Sequence, residues 1–209
     1  MALLAIIIIQ ITTSLAALNT GAHFALLTAR IIPTLPFKFT RKILDPFAVC
    51  LALGCWLGAI ILSIFPPQSK WQPRATFALV FAPIGCLTRF YASKYLNARI
   101  PSFPLGTFFV NIFGTCILGM CYDLQHARSI GAAPRGGYIA CGVLEGVIQG
   151  FCGCVTTVST WVVELNSLRR RHAYLYGAAS VGIALLSLIV IMGSVGWTIG
   201  FGTSVCLST

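Results

Sequence analysis

Residues 150–161 read Gly150-Phe151-Cys152-Gly153-Cys154-Val155-Thr156-Thr157-Val158-Ser159-Thr160-Trp161. This stretch lies inside an apolar run, about residues 138–165, that is long enough to cross a bilayer. Gly142 and Gly146 precede it, so glycine recurs through the run. Each glycine costs a helix about 1 kcal/mol relative to alanine. The hydroxyls of Thr156, Thr157, Ser159 and Thr160 then compete for backbone hydrogen bonds. The pattern predicts a helix broken at membrane depth. Lipid tolerates such a break only where it is buried in protein or lines a wet cavity.

The surrounding chain fits a membrane setting. Of 209 residues, 57% are hydrophobic and 9% are charged, with a mean hydropathy of +0.90. A soluble domain carries about 25% charged residues, and disorder requires low hydrophobicity, so both classes are excluded. An all-α integral membrane protein with about six spans is predicted. Residues 1–29 hold no Asp, Glu, Lys or Arg. They lack the basic start and cleavage site of a signal peptide, and they read as a first span ending near Arg30. Pro46 suits the first turn of a second span, and Pro66-Pro67 end it. Gly54 and Gly58 give that span a small-residue packing face. Further spans run over about 75–96, 104–124, 138–165 and 173–202.

Lys and Arg number 14 against 4 Asp and Glu. In a membrane protein such an excess collects in cytoplasmic loops and against anionic lipid heads, so no nucleic-acid partner is expected. One side of the predicted membrane holds Arg30, Lys38, Arg41, Lys42, Lys94, Arg99, Arg169, Arg170 and Arg171. The other holds Lys70, Arg74, Arg128 and Arg135, while Arg89 lies within a span. The richer side is assigned to the cytoplasm, which places both termini outside. The nine cysteines lie mostly in apolar runs and read as small hydrophobes. Cys152 and Cys154 have no second pair or His at zinc spacing.

Polar groups inside a membrane are expensive and often functional. Arg89, Thr107 with Asn111, Glu145 and the Thr156–Thr160 tract stand out. Thr107 and Asn111 share one helix face, and the plainer reading of the pair is interhelical glue. Arg89 reads as structural. Glu145 and Glu164 are expected to pair with bases near the interfaces. No catalytic set is present. His172, beside three arginines, lacks an orienting carboxylate, and His23 stands alone in an apolar span, so no enzyme is predicted.

Three motifs then carry a resemblance. Gly106-Thr107-Phe108-Phe109-Val110-Asn111-Ile112-Phe113-Gly114, followed by Gly119, resembles the G-T-x-x-V-N-x-x-G signature of the Fluc/FEX fluoride channels, the CrcB-like proteins. Residues 150–161, ending at Glu164, resemble that family's G-F-x-G-G-x-T-T-F-S-T-F-x-x-E segment. Gly85 and Arg89 resemble the G-x-x-x-R of its first helix. The resemblance implies that residues 74–205 form one complete four-helix repeat whose third helix is broken. Residues 1–30 would be the last helix of an incomplete first repeat, 31–45 a cytoplasmic loop and 46–67 a linker helix. The chain would then lack three helices of its first repeat, as a truncated or degenerate form.

The resemblance implies passive efflux of fluoride across the plasma membrane. The implied path holds Asn111, Thr107, Ser159, Thr160, Trp161, Tyr176 and Ser180. Carbonyls of Gly153 and Thr156 would hold a central structural sodium ion. An antiparallel repeat or a second chain would complete each pore. The family's two phenylalanines are here Val158 and Trp161, and the second glycine of its G-G pair is Cys154. The loss of an aromatic edge at Val158 predicts that one of two pores is degraded. The rival readings are another inverted-repeat transporter of a cation or small solute, which would use Glu145, and a purely structural membrane protein.

Overall fold

The computed structural model describes residues 2–29, 31, 40–65, 73–126, 138–202, 204 and 206. Helix α1 spans Ala2–Thr28. A π-turn, Thr40–Leu44, leads into α2, Asp45–Ile64, with Pro46 in its first turn as expected. Helix α3 is Pro73–Leu96 and α4 is Leu105–His126. The fifth crossing is composite. It starts as α5, Tyr138–Gly146, continues as a π segment, Val147–Cys152, and a single α turn, Gly153–Val155, and resumes as α6, Val158–Ser167. Helix α7 covers Arg170–Thr198.

Among the described residues, six segments are long and apolar enough to cross a bilayer: Ala5–Thr28, Thr40–Ile64, Ala75–Leu96, Leu105–His126, Ile139–Ser167 and Arg170–Thr198. The protein is therefore an all-helical, multi-pass membrane protein, as predicted. Arg30, Lys38, Lys70, Arg128 and Arg135 of the charge count, and Pro66-Pro67, lie outside the described residues.

A glycine face positions the break. Gly142, Gly146 and Gly150 repeat at four-residue spacing, which places them on one helical face. Phe77 and Ala78 of α3 press into that face. A Cβ at Gly142 would lie 2.8 Å from the Phe77 ring, one at Gly146 2.9 Å from the Phe77 carbonyl oxygen, and one at Gly150 would overlap the Ala78 carbonyl. These glycines, read above only as helix breakers, bring two backbones together. Helix α3 also carries Pro83 in its interior. It has no N–H, so α3 cannot complete its ladder there. Close by, Trp56 Nε1 of α2 donates to the Val80 carbonyl at 3.0 Å.

Two expectations need correction. A Cβ at Gly54 or Gly58 would meet nothing within 4 Å, so that small-residue stripe is not a packing face against the described residues. Helix α2 instead uses Trp56 and buried Ala59. The cysteines are also not all small hydrophobes. Cys141 and Cys206 form a disulfide across a sequence separation of 65. It ties the chain beyond α7 to the start of α5. Gly202 N, donating to the His126 carbonyl at 2.7 Å, ties the same segment to the end of α4.

Candidate functional site: the helix break and its polar partners

The π segment and the α turn end with Thr156 N donating to the Cys152 carbonyl at 3.0 Å. Thr156 and Thr157 are then extended, with φ/ψ of −79°/151° and −152°/123°. Thr157 caps the next helix. Its Oγ1 accepts from Thr160 N at 3.4 Å, the usual role of Thr at such a start. The break exposes backbone groups that need partners, and Asn111 of α4 supplies them. Asn111 Oδ1 accepts from Thr157 N at 2.7 Å, and Asn111 Nδ2 donates to the Thr157 carbonyl at 3.1 Å. The side-chain amide thus replaces a missing peptide neighbour. Gly114, one turn along α4, allows this approach: a Cβ there would lie 2.5 Å from Thr156 Cγ2.

A second network lies at the start of α4. Glu164 Oε1 accepts from Thr107 Oγ1 at 2.6 Å and from Asn97 Nδ2 at 3.2 Å. Glu164 Oε2 accepts from the Tyr176 hydroxyl at 2.8 Å. Asn97 Oδ1 accepts the backbone N–H groups of Gly106 and Thr107 at 2.7 and 3.1 Å, and Asn97 Nδ2 also donates to Thr107 Oγ1 at 3.2 Å. Asn97 therefore satisfies the open N-terminus of α4 from the end of α3. Thr107 and Tyr176 are fully buried, and the Phe103 ring meets Tyr176 edge-on at 5.0 Å between centroids.

The expected pairing of the two glutamates with bases is incorrect. Glu164 is held by the three neutral donors above, and Glu145 accepts from Gln125 and Gln149 Nε2, both at 3.3 Å. Among the described residues the ion pair present is Arg41 with Asp45, at 4.0 Å. Asn97 was missed altogether. Its one signal was an amide at the end of a span, ten residues before Thr107.

Six of the seven predicted path residues fall into three groups, and Ser159 stands apart. Asn111, Trp161 and Ser180 line one cavity of about 460 Å³, together with Thr115 and Thr157. Thr107 and Tyr176 converge on Glu164. Thr160 faces a different cavity of about 410 Å³, shared with Arg89, Lys94 and Cys86. Ser159 is exposed on α6 and lines neither. Ser180 Oγ donates to the Tyr176 carbonyl at 2.7 Å, and Trp161 Nε1 is buried with no hydrogen-bond partner among the described residues.

The predicted sodium ligands are the carbonyls of Gly153 and Thr156. The amides four residues later, Thr157 N and Thr160 N, are taken by Asn111 Oδ1 and Thr157 Oγ1. Both carbonyls are thereby released from helical pairing, which fits a cation that needs oxygen ligands.

Comparison with known proteins gives a consistent result. The family model described as "CrcB-like protein, Camphor Resistance (CrcB)" matches residues 76–199. "Fluoride export protein 1" of Neurospora crassa is 55% identical over 220 residues, covering 100% of this chain and 41% of its own length. The Candida albicans protein of the same name is 36% identical over 202 residues, covering 96% of this chain and 51% of its own length. "Fluoride-specific ion channel FluC" of Pseudomonas paraeruginosa is 32% identical over 134 residues, covering 62% of this chain and 98% of its own length. The chain spans about half the length of the fungal relatives it matches. The broken fifth crossing, its Asn111 partner and the Thr107–Glu164–Tyr176 network all fall within the matched region, and the chain belongs to the CrcB-like family.

Proposed function

We propose that this chain forms part of a fluoride channel that lets fluoride leave the cell passively across the plasma membrane. The names of its relatives support the substrate. The observation that carries the reading is the cavity at the helix break, where Asn111, Ser180 and Trp161 come together. A small, tightly hydrated anion needs donors to replace its water. Asn111 has two amide hydrogens, and Thr157 engages through one bond to its carbonyl. The Trp161 indole also lines this cavity. The reading has no enzymatic step.

The second network supports the same chemistry. The Glu164 carboxylate is an anion held by hydroxyl and amide donors. Thr107 and Tyr176 are thus donors shaped for negative charge, placed beside the path. The two faces of α6 also fit a segment shared between two pores. Trp161 serves one cavity and Thr160, with Arg89, the other. An antiparallel repeat or a second chain supplies the opposing walls. The released carbonyls of Gly153 and Thr156 hold part of the shell of a central sodium ion, and the opposing break supplies the rest.

The orientation follows from charge and redox together. The count of basic residues places the start of α5 and the end of α7 outside the cell. Those two ends carry Cys141 and Cys206, and disulfides persist in oxidising compartments. Both termini of the chain are then extracellular. After mild reduction of whole cells, an impermeant maleimide should label both cysteines. Labelling only after permeabilisation would overturn the orientation.

Fluoride efflux from loaded liposomes tests the function. The chain joined to a complete antiparallel repeat should dissipate a fluoride gradient, and Asn111→Ser should slow it at least tenfold. Efflux no faster than from empty liposomes, or an Asn111→Ser channel as fast as the parent, would sink the reading.

A further inference from the structure

Asn97 follows the last residue of α3, and its own N–H holds it there by donating to the Ser93 carbonyl at 3.2 Å. The start of α4 packs closely against it. A Cβ at Gly106 would overlap the Ala92 carbonyl and lie 2.7 Å from Asn97 Oδ1. The Asn97 side chain is half-buried, and both ends of its amide are used. Oδ1 accepts the Gly106 and Thr107 N–H groups. A backbone N–H only donates, so it must meet the oxygen end, and the amide has one orientation. Nδ2 is thereby turned toward Thr107 Oγ1 and Glu164 Oε1, each at 3.2 Å.

That orientation decides the direction of the next bond. A threonine hydroxyl carries a single hydrogen. Thr107 Oγ1 receives the Asn97 amide, so its hydrogen is directed to Glu164 Oε1 at 2.6 Å. Of the three donors on Glu164, Asn97 is one and sets the direction of a second, while Tyr176 is the third.

We propose that Asn97 is a positioning residue for anion passage, acting through Thr107 and Glu164. The proposal rests on the reading of this chain as part of a fluoride channel. A carboxylate beside an anion path repels the ion. Holding Glu164 on three donors keeps that charge in one place and shares it among hydrogen bonds. Asn97 does this without touching the anion. Its oxygen end caps α4, and its nitrogen end holds the network, so the two roles are separable.

Asn97→Asp separates them. Aspartate keeps an acceptor for the two N–H groups and caps a helix as well as asparagine does. It lacks the amide hydrogens and sets a second carboxylate against Glu164. In the chain joined to a complete antiparallel repeat, in liposomes at about pH 7.5, Asn97→Asp should slow fluoride efflux about tenfold. All rates are taken above those of empty liposomes at the same pH. At about pH 5.5 the rate should climb back toward that of the parent, because one of the two facing carboxyls takes a proton and becomes a donor again. The other groups on this cluster, Thr107 from α4 and Tyr176 from α7, are neutral hydroxyls across that range. Asn97→Ala loses both ends and should be slow at both pH values.

Unfolding midpoints of the full chain in detergent give a readout that needs no transport. The Asn97→Asp midpoint should rise on acidification by more than that of the parent. A role in capping alone predicts an Asn97→Asp channel as fast as the parent at about pH 7.5, and that result would overturn the proposal. So would a slow Asn97→Asp channel that does not recover at the lower pH, or a midpoint that follows pH as the parent does. A parent that moves no fluoride would instead sink the functional reading, and the midpoints would still decide whether residue 97 meets Glu164.

Discussion

Helices α1 and α4 are both apolar enough to cross a bilayer, but they use their polar side chains in opposite ways. In α1 the hydroxyls of Thr12, Thr13, Ser14, Thr20 and Thr28 each donate to the carbonyl four residues back, at 2.6–2.9 Å. They satisfy themselves within the helix, and most side chains of α1 are exposed. In α4, Thr107 and Asn111 reach other elements, at residues 57 and 46 positions away respectively. Gly106, Thr107, Val110 and Gly114 are buried along the same face. Lipid tails are as apolar as leucine, so hydrophobicity does not sort these helices. Close packing and cross-helix hydrogen bonds do.

The largest test of that contrast is a methyl group added to each kind of surface. Gly150→Ala places a Cβ onto the Ala78 backbone carbonyl. It should destabilise the protein by about 3 kcal/mol, because backbone rather than a flexible side chain must yield. Gly58→Ala points into open space within α2 and should leave stability unchanged or raise it by up to about 1 kcal/mol. Unfolding midpoints in detergent would separate the two. Equal damage from both would mean that the packed and unpacked faces are wrongly assigned.

The next effect belongs to the Glu164 network. Glu164→Ala strands donors from Thr107, Asn97 and Tyr176. Leaving buried donors unsatisfied should cost about 2 kcal/mol. Glu164→Gln keeps one acceptor oxygen and should cost less. If Gln were as harmful as Ala, Glu164 would matter for its charge rather than as an acceptor.

This network also shows where the sequence became illegible. The break at Thr156-Thr157 could be read because its cause is local. Glycines weaken a helix, and clustered hydroxyls offer the backbone another partner. The six spans could be read because hydropathy is additive along the chain. The partners of Glu164 could not, since Asn97 and Thr107 lie 67 and 57 residues away. Nothing near Glu164 in sequence marks them, and a carboxylate at a membrane edge ordinarily pairs with a base. The Cys141–Cys206 bond was hidden for a related reason. Cys141 sits in an apolar run, and its partner lies beyond the last span. Asn111 was legible as a polar residue at depth, but not that both ends of its amide pair with the peptide of Thr157.

A smaller effect is expected where α2 meets α3. Trp56→Phe keeps a large ring but removes the Nε1 donor to the Val80 carbonyl. One hydrogen bond contributes about 1 kcal/mol net, so a loss of that size is expected in the same unfolding measurement. No change would mean that α2 is held by ring packing and that the bond near Pro83 is incidental.

The smallest effect is the most discriminating. Thr13→Val preserves shape in α1 and removes a hydroxyl whose partner is the Ile9 carbonyl, at 2.6 Å. That carbonyl is already the acceptor of a helical backbone amide, so it keeps a partner when the hydroxyl is gone. The new methyl meets an apolar setting. The change should stay within about 0.5 kcal/mol. The same substitution at Thr107 removes the donor to Glu164 and the acceptor for Asn97 in one step, with no helical group to replace either. Two chemically identical changes should therefore differ because one hydroxyl serves its own helix and the other joins three. If Thr13→Val proved as costly as Thr107→Val, α1 would be using its hydroxyls across an interface, and the contrast between the two helices would fail at its root.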